Sequence, residues 1–457
     1  MAADTSPKST PSREEIARIE MERTTVSPAI ARRLVAVFVL LVGAPPAIDW
    51  IVSRRSDAVT ATAWSQLAAL PREARATITR QGGAGDEGGI VSRIVSANRA
   101  VLAGLHAFED SLSDESPMAT ALRQPGQRML SGWLGVGNER VYQGRDSWLF
   151  YRPDVDYVIG SGFLDPAKMR RRRESSREWI ELPQPDPRQA IVGFNRQLES
   201  RGITLVVMPT PGKPAMHPEK LADAHEWVIP VQNPSYRAFI DDLRRENVIV
   251  FDLADRLARD ANGAAMYLVT DTHWRPETME RAAEMLGAFI ESQIALPPSP
   301  SAAGAVREPL HVEAREVSNV GDTAAMLDLT PGHRLNRPES VTIRRVLDSD
   351  GAPWQPSRSA DVLVLGDSFS NIYSLASMGW GDAGGLVEHL GRVLERPIDR
   401  IVENDNGAYA TRARLRQDIA SGSDRLRGKR VVVLQFAARE LVVGDWRLIE
   451  LPRSGAQ

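Results

Sequence analysis

The apolar run Val362–Leu365 constrains the fold most strongly, because consecutive aliphatic residues fit a strand that is buried on both faces. Such strands occur in parallel sheets that helices cover on both sides. The run ends in Gly366, Asp367 and Ser368, so the chain turns and a hydroxyl stands at the predicted start of a helix. Ser368 would then lie at the carboxyl edge of the sheet, where α/β folds place their catalytic residues, so it is a candidate nucleophile. The alternative is an ordinary strand-to-helix turn with Asp367 or Ser368 as the N-cap.

Strand-like and helix-like segments alternate around this run, which is typical of an α/β fold with a parallel sheet between helices. A helix is predicted over Arg188–Ser200, and others behind Asn233-Pro234 and behind Pro276. Prolines interrupt the alternation between Pro297 and Ala360, so we expect an insertion there. The predicted strands are Ile203–Met208, Val248–Leu253, Val362–Leu365, Arg400–Val402 and Arg430–Phe436.

A second chemical motif precedes the serine, in the segment Met266–Pro276. We predict a short strand, a loop and a helix start here, because Pro276 suits the first turn of a helix. His273 lies in the loop, and Asp271 precedes it by two residues. A histidine takes a serine proton when a carboxylate holds the imidazole in the right tautomer. The sequence therefore predicts Ser368 as nucleophile, His273 as base and Asp271 as the residue that orients it.

These motifs resemble the SGNH-hydrolase-like domain of the alginate O-acetyltransferase family, the AlgJ and AlgX type. In that family Asp-x-His precedes the Gly-Asp-Ser motif, whereas ordinary SGNH hydrolases have the serine first. Asp271-Thr-His273-Trp274 stands before Gly366-Asp-Ser368 in this chain, so the order matches the family. The resemblance covers roughly residues 138 to 446. Its other segments are Gly144–Phe150, Gly202–Pro209 with Lys213, and Arg439-Glu440.

The resemblance implies an SGNH-hydrolase-like sheet flanked by helices and a polysaccharide O-acetyltransferase activity. An acetyl group would pass through an acyl-serine to a sugar hydroxyl of a polysaccharide acceptor. It also implies a membrane-bound O-acyltransferase as acetyl donor, because acetyl-CoA is not available outside the cytoplasm. A polysaccharide acetyl esterase and a non-catalytic carbohydrate-binding scaffold remain alternatives, since the same triad serves water and the same cleft serves binding.

Four further residues are candidates for oxyanion or substrate binding. Asn406 and Gly407 follow a predicted strand, so their amides could complete an oxyanion hole, although Asn-Gly is equally typical of a plain turn. Tyr373 could line the cleft, although a buried aromatic is the usual outcome at such a position. Arg439 could hold a sugar hydroxyl or carboxylate, with a structural ion pair as the alternative.

Composition narrows the function classes. The formal net charge of −3 gives no reason to expect a nucleic-acid partner. The chain has no cysteine, which excludes disulfides, thiolate metal sites and cysteine nucleophiles. No Walker loop, His-Glu-x-x-His motif or Gly-x-Ser-x-Gly elbow is present. We therefore expect neither a metal nor a cofactor.

An apolar run near the N-terminus, Leu34–Val52, is just long enough to span a bilayer, although Pro45-Pro46 and Asp49 weaken its far end. Arginines precede it, which favours a cytoplasmic N-terminus and a large domain outside the cytoplasm. A cleaved signal peptide and a buried soluble helix are the alternatives. We predict a single-pass protein of the inner (cytoplasmic) membrane with a periplasmic catalytic domain.

The predicted domain organisation follows from these segments. Residues 1–33 form a cytoplasmic tail, and residues 34–52 form a transmembrane anchor. Residues 53–132 are rich in Ala, Arg, Ser and Gly and form a helical stalk or linker. Residues 133–450 form the SGNH-hydrolase-like acetyltransferase domain.

Overall fold

A computed structural model describes most of the chain from Pro117 onwards, and a smaller part before it. The chain divides into two compact units, Met1–Gly126 and Gln127–Gln457. The longer described ranges are 27–53, 117–174, 182–223, 229–260, 263–298, 310–404 and 407–452, with short stretches between residues 68 and 109.

The second unit contains a five-stranded sheet in which all neighbouring strands are parallel. From one edge to the other its strands are β4 (Ile249–Val250), β3 (Thr204–Thr210), β9 (Val431–Ala437), β7 (Val362–Gly366) and β8 (Asp399–Val402), so β3, β9 and β7 lie in the interior. All five predicted strands are found, although the second is much shorter than Val248–Leu253. Two antiparallel hairpins lie outside this sheet. The first pairs β1 (Val141–Gln143) with β2 (Leu149–Tyr151), and the second pairs β5 (His311–Asn319) with β6 (Glu339–Leu347).

Helices cover both faces of this sheet, which explains the unbroken aliphatic runs. In β7, Val362 and Val364 pack into one hydrophobic core, whereas Leu363 and Leu365 pack into another on the opposite face. The same alternation holds along β3 and β9. Successive side chains of a strand point to opposite faces, so a strand between two cores has no polar face. The α/β class predicted from the sequence is confirmed.

The helices have the following bounds. The first unit contains Pro28–Ser53, and Pro117–Trp133 crosses the boundary between the units. Those of the second unit are Arg152–Ile159, Pro166–Glu174, Pro187–Glu199, Lys213–Met216, Pro218–Leu221, Tyr236–Arg245, Leu253–Asp260, Pro276–Gln293, Asp322–Met326, Ser368–Asn371, Leu386–Val393, Ala410–Ala420 and Glu440–Val443, with single 3₁₀ turns at Arg145–Ser147, Ala376–Met378 and Gly407–Tyr409.

The segment from Pro297 to Ala360 interrupts the alternation, as expected. Its described part forms the hairpin of β5 and β6 with the short helix Asp322–Met326 between the two strands. Val341 and Ile343 of β6 are buried in the core that also contains residues of the helix Pro276–Gln293. The hairpin therefore packs on the helical layer and adds no strand to the five-stranded sheet.

The predicted apolar span, Leu34–Val52, lies within the helix Pro28–Ser53, so its helical structure is confirmed. The prediction that this helix spans a membrane is not confirmed. Throughout the described ranges, no helix combines the length and the apolar character needed to cross a membrane. Most of the predicted stalk, 53–132, lies outside the described residues.

Candidate active site

Ser368 is the first residue of the helix that follows β7, at the carboxyl edge of the sheet. Asp367 is the N-cap of that helix, because its side chain accepts a hydrogen bond from Phe369 N. Gly366 permits the sharp turn, since a Cβ there would lie 2.4 Å from Ser370 Oγ. The Ser368 side chain is thus held where the buried strand ends, with 8% of the residue exposed.

The structure brings together the three residues predicted as a triad. Ser368 Oγ lies 2.8 Å from His273 Nε2, at hydrogen-bond distance. His273 Nδ1 lies 2.7 Å from Asp271 Oδ1, and donates to it when the carboxyl group is ionised. All three residues are buried. The two ring nitrogens of His273 therefore join the hydroxyl to the carboxylate in one continuous chain of hydrogen bonds.

The loop that carries His273 differs from the prediction of a strand starting at Met266. It contains an isolated antiparallel bridge between Tyr267 and Trp274, and Leu268 N donates to His273 O at 3.1 Å. The chain therefore doubles back on itself at once, which a local apolar pattern does not reveal. Trp274 Nε1 donates to Phe369 O at 3.1 Å and so attaches the loop to the serine helix.

Asp271 is an ionised, fully hydrogen-bonded carboxylate. Its Oδ1 also accepts from His273 N (3.0 Å), and its Oδ2 accepts from Asp322 N (3.0 Å) and Trp380 Nε1 (2.9 Å). Burial alone would raise its pKa, but the hydrogen bond and charge of His273 outweigh burial and hold the pKa of Asp271 well below its usual value.

His273 is a stronger base than an exposed histidine. Burial disfavours the imidazolium, but the hydrogen bond and negative charge of Asp271 outweigh burial, and the net effect raises the pKa of His273. A base of raised pKa is suited to accept a proton from a serine hydroxyl.

Asp367 has a structural role beside the triad. Its Oδ1 accepts from Gln435 Nε2 at 2.9 Å, and its Oδ2 accepts from Ala437 N at 2.6 Å. Gln435 in turn accepts from Asp367 N and Ser370 Oγ through Oε1. These bonds connect the end of β7 to β9 and fix the turn that presents Ser368.

A small cavity of about 50 Å³ lies beside Ser368. Gly407 and Arg439 line it, so the structure brings these two predicted residues to the serine. Gly407 has a φ of +69°, a left-handed conformation that favours glycine. Asn406, also predicted for the oxyanion hole, lies outside the described residues.

Arg439 lines this cavity while forming a partly buried ion pair with Asp154. Its Nη1 lies 3.2 Å from Asp154 Oδ1, and its guanidinium lies over the rings of Tyr151 and Phe369. Burial would lower the pKa of Arg439, but the charge of Asp154 outweighs burial and raises it. The structural ion pair considered from the sequence is therefore present, and substrate contact by Arg439 stays a proposal.

The structure does not bring Tyr373 to this cavity. The residue is fully buried, and its hydroxyl donates to Trp274 O at 2.6 Å. The usual outcome for a buried aromatic residue thus applies, and Tyr373 supports the loop that carries His273.

One group of side chains in the described part of the chain has the spacing to hold a metal ion: Asp271, His273 and Asp322, with ligand atoms within 4.8 Å of one another. Both ring nitrogens of His273 already have partners, Asp271 and Ser368. An ion bound through either nitrogen would displace one of these hydrogen bonds.

Asp322 and Trp380 were missed by the sequence reasoning, although both donate to Asp271. Asp322 lies in the insertion, just after Gly321, and Trp380 follows the 3₁₀ turn Ala376–Met378. Neither belongs to a motif with a chemical spacing, so one sequence alone offers no signal for either residue.

Comparison with known proteins identifies relatives of this chain. The family model described as SGNH hydrolase-like domain, acetyltransferase AlgX, matches residues 141–408, more than half of the chain. A probable alginate O-acetylase AlgJ from Pseudomonas aeruginosa is 26% identical over 266 residues, which are 58% of this chain and 61% of that protein. The corresponding protein from Pseudomonas syringae pv. tomato is 26% identical over 301 residues, covering 65% of this chain and 70% of that protein.

Among solved structures, the O-acetyltransferase domain of Pseudomonas putida AlgJ is similar, with a TM-score of 0.47 and 21% identity. The match covers 66% of this chain and 91% of that structure. The chain thus spans about six tenths of the P. aeruginosa relative and most of the P. putida domain.

The raised pKa of His273 predicts the pH dependence of any reaction that uses it as a base. The neutral imidazole is the active form, and it is lost as the pH falls through the raised pKa. The acidic limb of kcat/KM for cleavage of a small acetyl ester should therefore lie above pH 6.5, the ordinary value for histidine. Initial rates between pH 5 and 9 measure it, and a limb below 6.5 would contradict the electrostatics described for His273.

Proposed function

This chain belongs to the SGNH hydrolase-like acetyltransferase family of AlgX, and we propose that it is a polysaccharide O-acetyltransferase with a Ser-His-Asp triad. The observation that carries the proposal is the continuous chain of hydrogen bonds from Ser368 through His273 to Asp271. Its position at the carboxyl edge of a parallel sheet, beside a cavity, leaves room for an ester carbonyl next to the hydroxyl.

The reaction proceeds in two halves. Ser368 Oγ attacks the carbonyl carbon of an acetyl donor while His273 Nε2 takes the hydroxyl proton. The tetrahedral intermediate collapses to an acetyl-serine, and the leaving group departs with the proton from His273. A sugar hydroxyl then gives its proton to His273 and attacks the acetyl carbon, which releases the acetylated sugar and regenerates Ser368.

Backbone amides are our candidates for stabilising the oxyanion. The amide of Ser368 stands at the start of a helix, and Gly407 lines the same cavity from the segment after β8. Preorganised N–H groups aimed at a developing negative charge are usually a large part of catalysis in acyl transfer. Ser368 N and Gly407 N are proposed for this role, and Arg439 supplies positive charge nearby.

A polysaccharide acetyl esterase is the closest alternative, because both reactions share the acyl-serine and differ in what attacks it. A scaffold that binds carbohydrate without catalysis is the third possibility. The serine, histidine and aspartate would have no reason to be bonded in series in a scaffold, so the geometry favours an enzyme. No described residue of the Pro297–Ala360 insertion lines the cavity beside Ser368.

Transfer also needs a donor, and we propose a membrane-bound O-acyltransferase that delivers acetyl groups to Ser368. This partner and the polysaccharide acceptor come from the family resemblance. The relatives are named as alginate O-acetylases, so an alginate-like exopolysaccharide is the first acceptor to test.

Substitutions in the triad test the mechanism directly. Ser368→Ala and His273→Ala should each lower the turnover of an acetyl ester by on the order of 10⁶, as in other serine triads. Asp271→Asn should cost less, about 10⁴, because the base remains but its tautomer is no longer fixed. Initial rates are measured on folded protein, with the exposed Ser359→Ala as control. A Ser368→Ala protein that keeps most of the wild-type activity would rule out the triad.

Acceptor experiments separate transfer from hydrolysis. Water is present at about 55 M, so a transferase holds the sugar hydroxyl at a high effective molarity beside the acyl group. With an activated acetyl ester as donor, added oligosaccharides of the right polymer should yield acetylated sugar, detected by mass spectrometry, while free acetate falls. Neutral and uronic-acid oligomers are compared. Loss of acetate from acetylated polymers without any transfer would favour the esterase.

We further propose that the catalytic domain acts outside the cytoplasm and that the N-terminal region holds it at the inner membrane. The helix Pro28–Ser53 exposes large apolar side chains, including Leu34, Phe38 and Leu40, and such a surface favours an apolar environment. A reporter fused to the C-terminal end should be active outside the cytoplasm, and the protein should stay with membranes after a high-salt wash. Full-length protein in the soluble cytoplasmic fraction would exclude this location.

A further inference from the structure

The segment Gly321–Thr323 of the insertion packs directly on the loop that carries the base. Thr323 Oγ1 donates to Thr270 O at 2.5 Å, and Ala324 N donates to the same carbonyl at 3.1 Å. A Cβ on Gly321 would lie 2.1 Å from Thr270 O, so glycine is required for this close approach. The insertion is therefore hydrogen-bonded to Thr270, the residue immediately before Asp271.

Asp322, in the middle of this segment, is close to all three residues of the Asp-Thr-His motif. Its N–H donates to Asp271 Oδ2 at 3.0 Å. Its Oδ1 accepts from Thr272 N at 2.7 Å and from Thr272 Oγ1 at 3.0 Å. Its Oδ2 lies 3.8 Å from His273 Nδ1, too far for a hydrogen bond but close enough for a strong electrostatic interaction.

We propose that Asp322 is a positioning residue of the acetyl-transfer reaction, which fixes the Asp271–His273 loop and places a second negative charge beside the imidazole. This inference rests on the proposed function, because it assumes that His273 takes the proton of Ser368. The imidazolium that forms at that moment is stabilised by Asp271 through a hydrogen bond and by Asp322 through its charge.

The other charges that face His273 come from separate elements. Arg439, at the N-terminal end of the helix Glu440–Val443, opposes the imidazolium, although Asp154 is paired with it. Lys213 lies beneath the loop, and its Nζ donates to Leu149 O and Val269 O. Of these two cations, Arg439 is paired with Asp154, whereas Asp271 and Asp322 are the carboxylates that act on both Lys213 and His273. Asp322 adds the second carboxylate.

Asp322 changes its charge in the pH range in which His273 works. Partial burial and the charge of Asp271 raise the pKa of Asp322 to about 6. Above that pH Asp322 is ionised and favours the imidazolium. Below it Asp322 is neutral and this support is lost, while Asp271 stays ionised because its pKa is lowered.

Two substitutions separate the charge of Asp322 from its structural bonds. Asp322→Asn keeps a carbonyl oxygen for Thr272 N and removes the charge. Thr323→Val removes the buried hydrogen bond to Thr270 O and leaves every charge in place. If Asp322 acts through its charge, Asp322→Asn moves the pKa of His273 and Thr323→Val does not. Asp350→Asn, in an exposed turn of the same insertion, is the matched control for loss of a charge.

The test is the pH profile of kcat/KM for p-nitrophenyl acetate, measured on the purified full chain. Asp322→Asn should move the acidic limb to lower pH by about one unit, because a charge at this range stabilises the imidazolium by that order. In Thr323→Val and Asp350→Asn the acidic limb of kcat/KM should stay at its wild-type pH. Thr323→Val should nevertheless lower the free energy of unfolding, because it removes a buried hydrogen bond. An unmoved limb in Asp322→Asn, or the same shift in Thr323→Val, overturns the inference.

Two further measurements keep the test decisive. If Asp322→Asn does not fold, Asp322→Glu retains the charge and should keep the wild-type limb at a reduced rate; a limb displaced to lower pH would contradict the inference. Ser368→Ala separates the role of Asp322 from that of the triad itself. If Ser368→Ala is inactive while Asp322→Asn has an unmoved limb, the role of Asp322 fails and the triad stands. If Ser368→Ala is active, the proposed function itself fails.

Discussion

A carboxylate buried as deeply as Asp271 is stable only if donors replace the water that it has lost, and this requirement organises the site. Asp271 receives hydrogen bonds from His273 N, His273 Nδ1, Asp322 N and Trp380 Nε1. These donors come from three separate segments of the chain. The proposed base, His273, is therefore correctly oriented only when its own loop, the insertion and the turn that carries Trp380 have all reached their places.

The proposed nucleophile, Ser368, is held by a different set of hydrogen bonds. The chain of bonds from Asp367 through Gln435 links the end of β7 to β9, and both strands lie in the interior of the sheet. Ser368 is thus attached to two interior strands of the sheet, whereas His273 lies in a loop. The hydrogen bond from Trp274 Nε1 to Phe369 O joins the loop to the serine helix and keeps the imidazole of His273 next to the hydroxyl of Ser368.

Much of this arrangement was predictable, because it depends on local patterns. Aliphatic runs such as Val362–Leu365 indicate buried strands, and the order of Asp271, His273 and Ser368 indicates both the chemistry and the family. What failed depends on contacts between distant residues. The loop after Met266 has an apolar pattern like a strand, yet bonds within the loop, such as that from Leu268 N to His273 O, fold it back on itself, and a hydrogen bond from Trp274 Nε1 to Phe369 O attaches it to a distant helix. Asp322 has no motif, because its importance arises only from the place where the insertion packs.

The close contact of Gly321 with Thr270 has a consequence for engineering this family. The insertion adds no strand to the main sheet, so it resembles a segment that could be exchanged between relatives. Here the insertion supplies an amide to the carboxylate that orients the base and a carboxylate beside the imidazole. A chimera that replaces the whole hairpin would remove these contacts to Asp271 and His273 as well as change the outer surface. An exchange that keeps Gly321–Thr323 and replaces only the strands on either side of it would leave them in place.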